Sequence, residues 1–161
     1  SMILISQGKM LQQGAPFEVL SRPRNEAVAR QMGLRNIFDG EVVFQDSTKD
    51  LTWLKFGEQL IACDYGKDRA VGSKVRWVIP NQGIRFNSIS NGRLCRSFNK
   101  LDVTIDAMLV MGESVRLICY VTGTQLQLNT EVSLHFAQKL ALTKGMQTTV
   151  ALKSEQIHIL E

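Results

Sequence analysis

From Asn36 to the C-terminus, apolar residues recur at every second position in short segments separated by turn-forming residues. GEVVF, LTWLKF, EQLIAC, KVRWVIP and GIRF in the first half, and LDVTI, SVRLICYV, TQLQL, TTVAL and QIHIL in the second, each carry the period of a strand with one buried face. Gly57 and Gly123 fall between such segments, where a tight hairpin needs positive φ. One stretch breaks the alternation: EVSLHFAQKLALTKG places Ser133 as an N-cap ahead of a turn or two of helix. Short strands at this spacing, with a little helix inserted, predict a mainly β chain of small OB-like barrels.

The first 35 residues read differently. MILIS and KMLQQ are extended pieces joined by a turn at Gln7-Gly8, which predicts a hairpin. Pro16 then suits a first helical turn, Pro23 interrupts, Asn25 caps EAVARQM, and Gly33 takes the position just past the helix end. Val28 and Met32, at i and i+4, give this short helix an apolar stripe that must dock on a neighbour, because so short a helix is marginal alone.

The two β halves repeat one another. NIFDGEV (Asn36 to Val42) aligns with NKLDVTI (Asn99 to Ile105), and VGSKVRWVIPNQGIRF aligns with TKGMQTTVALKSEQIHI, setting Gly72 against Gly145 and Ile84 against Ile157. The expected organisation is a hairpin-and-helix segment at 1–35, a first OB-like subdomain at 36–86, a polar linker at 87–98 and a second OB-like subdomain at 99–161.

Composition narrows the function classes. With 44% hydrophobic and 21% charged residues the chain should fold, and its net charge of +4 is scattered, with no run of either sign. Cys63, Cys95 and Cys119 are widely spaced and odd in number, which fits neither a disulfide framework nor a zinc knuckle and suggests reduced cytoplasmic thiols. No apolar run approaches the roughly 18 to 20 residues needed to cross a bilayer, so a soluble chain is expected.

Residues 8 to 36, GKMLQQGAPFEVLSRPRNEAVARQMGLRN, carry a glycine-lysine hairpin, a Q-x-G-x-P turn, a proline and an A-x-x-x-G-x-x-N exit in succession. This resembles the end of the nucleotide-binding domain of ATP-binding cassette (ABC) importer ATPases, and the doubled β pattern resembles the paired barrels, called TOBE, that follow it there. The resemblance implies a C-terminal accessory, regulatory and dimerisation domain. Its partners would be a second subunit, the ATPase core and the membrane permease, at the inner face of the plasma membrane. ATP and magnesium would belong to the parent core. The chain itself has no G-x-x-x-x-G-K-[ST] loop and no L-S-G-G-Q type signature, so no enzymatic activity and no cofactor are expected of it.

The β half is also similar to molbindins, small barrels that bind molybdate through an S-x-R-N stretch and a later lysine followed by a small residue. By that resemblance Ser97, Asn99, Lys153 and Ser154 of the second repeat are candidate oxyanion-binding residues, with Phe98 in place of the arginine. The first repeat keeps Arg35 and Asn36 but has Gly33 in place of the hydroxyl and Pro80-Asn81 in place of the lysine and its neighbour. A tetrahedral dianion needs amides, hydroxyls and one cation in a concave place, which these residue types can supply. Lys153 and Ser154 would equally serve to end an edge strand in water. The alternative reading is therefore a free-standing molbindin-like protein binding molybdate, tungstate or sulfate.

Other chemistry is thin. His135 and His158 have no third partner at a metal-ligand spacing and read as surface imidazoles. Asp102 and Asp106 alternate with apolar residues as on any half-exposed strand, and Cys119 within LICYV reads as a buried, inert thiol. An OB-type nucleic-acid binder would need exposed aromatics beside its arginines. Trp77 and Phe86 alternate in step with Val75, Ile79 and Ile84, so the core has the first claim on them, and no nucleic-acid partner is expected.

Overall fold

The computed structural model describes residues 1–64, 69–86 and 98–161. The N-terminal segment forms the expected hairpin, β1 (Met2–Ser6) and β2 (Lys9–Gly14), turning at Gln7 and Gly8, both with positive φ. Two short helices follow, α1 (Pro16–Ser21) and α2 (Glu26–Gln31). The Asn25 side chain accepts from Val28 N at 3.0 Å, and Gly33 leaves the helix in the left-handed region. The first repeat then supplies β3 (Ile37–Asp46), β4 (Leu51–Phe56), β5 (Gln59–Asp64), β6 (Lys74–Val78) and β7 (Ile84–Phe86). The second supplies β8 (Phe98–Met111), β9 (Ser114–Val121), β10 (Gln127–Ser133), α3 (Leu134–Lys139), β11 (Gln147–Lys153) and β12 (His158–Ile159). Ser133 caps α3 as its position implied, accepting from Phe136 N at 3.1 Å.

The strands make two five-stranded antiparallel sheets of one plan, β12-β6-β3-β4-β5 and β10-β9-β8-β11-β7, beside the two-stranded β1-β2. The chain is thus mainly β, with two OB-like half-barrel sheets. Their likeness extends to single hydrogen bonds. The long first strand of each repeat bulges at the aligned place, between Val42 and Phe44 and between Ile105 and Ala107. Gly72 N donates to Val42 O at 2.7 Å, and Gly145 N to Ile105 O at 2.7 Å. Asp39 accepts from Arg76 across one ladder where Asp102 accepts from Thr149 across the other.

The division of the chain differs from the one expected. The compact units are Ser1–Pro80 together with Ser154–Glu161, and Asn81–Lys153. β7 pairs with β11 (Ile84↔Leu152), and β12 pairs with β6 (His158↔Val78), so the last strand of each repeat completes the sheet built by the other. A 3-10 turn, Asn81–Gly83 or Ser154–Gln156, redirects the chain before each of these strands. Alternation reports which face of a strand is buried and is silent on whose edge it pairs with, which is why boundaries at 86 and 99 looked natural. Of the expected linker 87–98, only Phe98, the first residue of β8, lies within the described residues.

The core of the first unit centres on Phe38, Phe56 and Trp77, with ring centroids 4.9 to 5.0 Å apart. The core of the second is aliphatic, including Leu101, Val103, Ile105, Leu117, Leu128 and Leu152. In the N-terminal segment, Ala29 packs with Val78 and Leu160, flanked by Leu34 and Ile37. Val19 and Val28 are fully buried, whereas Met32 is half-buried and Leu20 exposed, so the apolar side chains of the helices are covered only in part. Outside that contact Glu26 pairs with Arg30 and Arg76.

Candidate functional site

The sequence candidates fall at the ends of two ladders. In the second unit the β8–β11 pairing closes with Asn99 opposite Leu152 and Phe98 opposite Lys153. Asn99 is half-buried and donates from Nδ2 to Leu152 O at 3.3 Å. Lys153, half-buried, is the last residue of β11, and Ser154, 6% exposed, opens the following turn and accepts from Ile157 N at 3.3 Å through its carbonyl. Asn99 and Lys153 are thus brought to one ladder end; Ser97 lies outside the described residues.

Asn36 holds the equivalent place in the first unit: it is buried, and its carbonyl accepts from Ile79 N at 3.1 Å, one step beyond Ile37↔Val78. Arg35 beside it is exposed. Pro80, in the lysine's place, brings neither N–H nor charge. Asn81, in the place of the small residue, has its amide committed within the second unit. Its Oδ1 accepts from Thr130 Oγ1 at 2.6 Å and Glu131 N at 2.7 Å, and its Nδ2 donates to Glu131 O at 3.3 Å. The ladder end in the second unit therefore carries a lysine one step from Asn99, on the pair Lys153↔Phe98, and the one at Asn36 carries no lysine.

A second constellation escaped the sequence reading. The first unit contains a cleft of about 820 Å³ where β2, the loop after α1 and the chain end meet. Gln12 pins that loop at both ends, donating from Nε2 to Arg22 O at 3.1 Å and accepting from Arg24 N at 2.9 Å. Between them Pro23 is buried, and its carbonyl lies 3.0 Å from His158 Nε2. A carbonyl only accepts, so that nitrogen carries the hydrogen. Arg24 pairs with Glu161 at 2.8 Å, and Arg69 donates from Nη2 to Leu160 O at 2.8 Å.

His158 is thus half-buried and bonded, where alternation alone had suggested a surface imidazole; His135 is exposed as expected. Burial lowers the His158 pKa below the ordinary value, and Arg22 and Arg69 push the same way against the Pro23 carbonyl and Glu161. The fold therefore prefers the neutral ring. Its contribution to stability is present in full above the free-chain value near 6.5 and is lost as pH falls through the depressed folded value. Urea unfolding followed by tryptophan emission should show the first unit weakening between pH 7 and pH 5. In His158→Gln, whose amide can still donate to Pro23, the decline should be smaller.

Burial pushes the Cys63 thiol up to about 12 and the Cys119 thiol to about 11, so neither is a nucleophile near neutrality. Among the described residues no three His, Cys, Asp or Glu side chains converge in a way that could hold a metal ion. Trp77 and Phe86 are buried, as their alternation implied. Among the described residues no helix is long and apolar enough to cross a membrane.

No protein-family model matches the chain. Among solved structures, the cytoplasmic molybdate-binding protein ModG, in a molybdate-bound crystal form, superposes with a TM-score of 0.66 at 16% sequence identity. The match covers 77% of this chain and 94% of ModG, and it shows a shared fold.

Proposed function

We propose that this chain is a non-catalytic accessory and regulatory domain of an ABC importer ATPase subunit, with residues 1–35 the tail of its nucleotide-binding domain. One observation carries the reading: the outer face of the N-terminal segment is apolar and uncovered. Ile3, Ile5 and Met10 are exposed on one side of the β1–β2 hairpin, and Phe17 (76% exposed) and Leu20 are exposed on α1. A two-stranded sheet is not stable on its own, and exposed apolar side chains on the hairpin and on α1 suit a covering domain. In this reading ATP and magnesium act in the covering core. The barrels bring two subunits together beside the permease at the inner membrane face, and Asn99, Lys153 and Ser154 give the domain a place to sense a small oxyanion.

The second reading, a free-standing molbindin-like oxyanion binder, is favoured by the extent of the match to ModG. Calorimetry of the full chain with molybdate, tungstate and sulfate separates the two. The accessory reading without oxyanion sensing expects no stoichiometric micromolar binding, and such binding would favour either the molbindin reading or a ligand-regulated form of the accessory one. The accessory reading also expects Ile5→Ser with Phe17→Ser to lower apolar-dye binding while changing stability by less than about 0.5 kcal/mol per site, as for uncovered surface positions. The molbindin reading expects stoichiometric binding, micromolar or tighter, abolished in Lys153→Ala.

A further inference from the structure

We propose that the cleft between the Arg22-Pro23-Arg24 loop and the C-terminal strand is an anion site, in which Arg22, Arg69 and His158 receive a ligand with two or more acceptor oxygens. The inference goes beyond the reading above and uses none of the residues at the Asn99–Lys153 ladder end.

Three features of the geometry carry it. The first is rigidity: the loop that presents Arg22 is fixed by Gln12 at both its ends, by His158 at Pro23 and by Glu161 N donating to Arg24 O at 3.0 Å. The second is unused capacity. The Arg22 guanidinium makes no hydrogen bond among the described residues, Arg69 spends one nitrogen on Leu160 O, and the second ring nitrogen of His158 has no partner there. Arginine offers a planar fork of donors that matches carboxylate, sulfate or phosphate oxygens, so these groups suit an oxygen anion better than any neutral ligand.

The third is the balance of charge at His158. The charged groups of the cleft are Arg22 and Arg24 on the loop, Asp64 at the end of β5, Arg69 before β6, Glu155 in the 3-10 turn and Glu161 at the chain end. Glu161 is held by Arg24 at 2.8 Å. Burial and repulsion by Glu155 raise the Asp64 pKa, with Arg22 pulling it the other way, so Asp64 is a weakened competitor for that guanidinium. At the imidazole, Arg22 and Arg69 act together against Glu161 alone. A bound anion would reverse that imbalance, and the second ring nitrogen would then take up a proton and donate to the ligand, so binding and proton uptake should be coupled.

Sulfate is the probe, because it keeps its charge across the neutral range and leaves His158 as the group that titrates. Added to the full chain, it should shift the His158 ring resonances saturably, with a Kd on the order of 1 mM, as suits an open site. The affinity should fall about tenfold from pH 6 to pH 8. Arg22→Ala, which removes a side chain with no hydrogen bonds among the described residues, should weaken binding at least fivefold with an unchanged thermal midpoint. His158→Gln should bind weakly at both pH values, and Lys153→Ala should bind as the parent does. A shift that is linear in sulfate, an affinity indifferent to Arg22, or a loss in Lys153→Ala with none in Arg22→Ala would each overturn the proposal. The last result would move the anion to the ladder end and leave the oxyanion-sensing part of the proposed function standing.

Discussion

Ending the chain at Gln156 should unfold the first unit and leave the second folded. The five residues removed contain Ile157 and Leu160, 5% and 3% exposed, each contributing about 1.5–3 kcal/mol by burial. They also contain the β12 pairing with β6, the bond from Leu160 N to Arg76 O at 2.8 Å, and the contacts of His158 and Glu161 with the loop at residues 22–24. Together these losses amount to about 5 kcal/mol or more, the scale of a whole small domain's stability. The readout is unusually clean, since the chain's two tryptophans, Trp53 and Trp77, both lie in the first unit. Their emission should move to the red in the truncated chain, while far-UV dichroism retains the β signal of residues 81–153. Emission unchanged from the full chain would mean that β12 is dispensable and the pairing with β6 incidental.

That experiment turns on the feature the sequence concealed. The repeat itself was legible: the alignment of Asn36 with Asn99 and of Gly72 with Gly145 matches positions that share a place in the strand order, a bulge nearby and, at the glycines, a bond to Val42 or Ile105. Those features are local or follow from period-two burial, which a sequence displays directly. The membership of β7 and β12 is a choice between two edges, and three residues of IRF or two of HI hold nothing that tells one edge from another. His158 was misplaced for the same reason, because its surroundings come from β2, the loop after α1 and Arg69 rather than from its neighbours in sequence. The ladder-end candidates fared differently. Asn99 and Lys153, candidates by the molbindin resemblance, lie at one ladder end on successive pairs, Asn99↔Leu152 and Phe98↔Lys153, whereas nothing in PNQG announces that Asn81 is spent on Thr130 and Glu131.

The repeat also predicts a compensation between two core positions. Trp77 aligns with Val150 and Gly40 with Val103, so the first unit sets a large residue beside none where the second sets two of middle size. A Cβ on Gly40 would lie 3.1 Å from Trp77 Cδ1, 3.2 Å from its Nε1 and 3.4 Å from Lys55 O, too close for the indole to stay where it is. Gly40→Val should therefore cost about 1–3 kcal/mol by overpacking. Trp77→Val should cost about 3–5 kcal/mol by the cavity it leaves. Loss of the indole N–H offsets part of that, because this buried donor has no partner among the described residues. In the double variant the valine introduced in place of Gly40 grows into the space the indole vacates, and both positions then carry the residue type that stands at the aligned places of the second unit. The two costs should then fall short of their sum by at least about 1 kcal/mol, a coupling of the size found between touching side chains. Urea unfolding followed by far-UV dichroism measures all four corners of the cycle without relying on Trp77. Additivity to within about 0.5 kcal/mol would show that the two positions do not share space, and that the aromatic core of the first unit is packed by something other than exchange of bulk across the β3–β6 ladder.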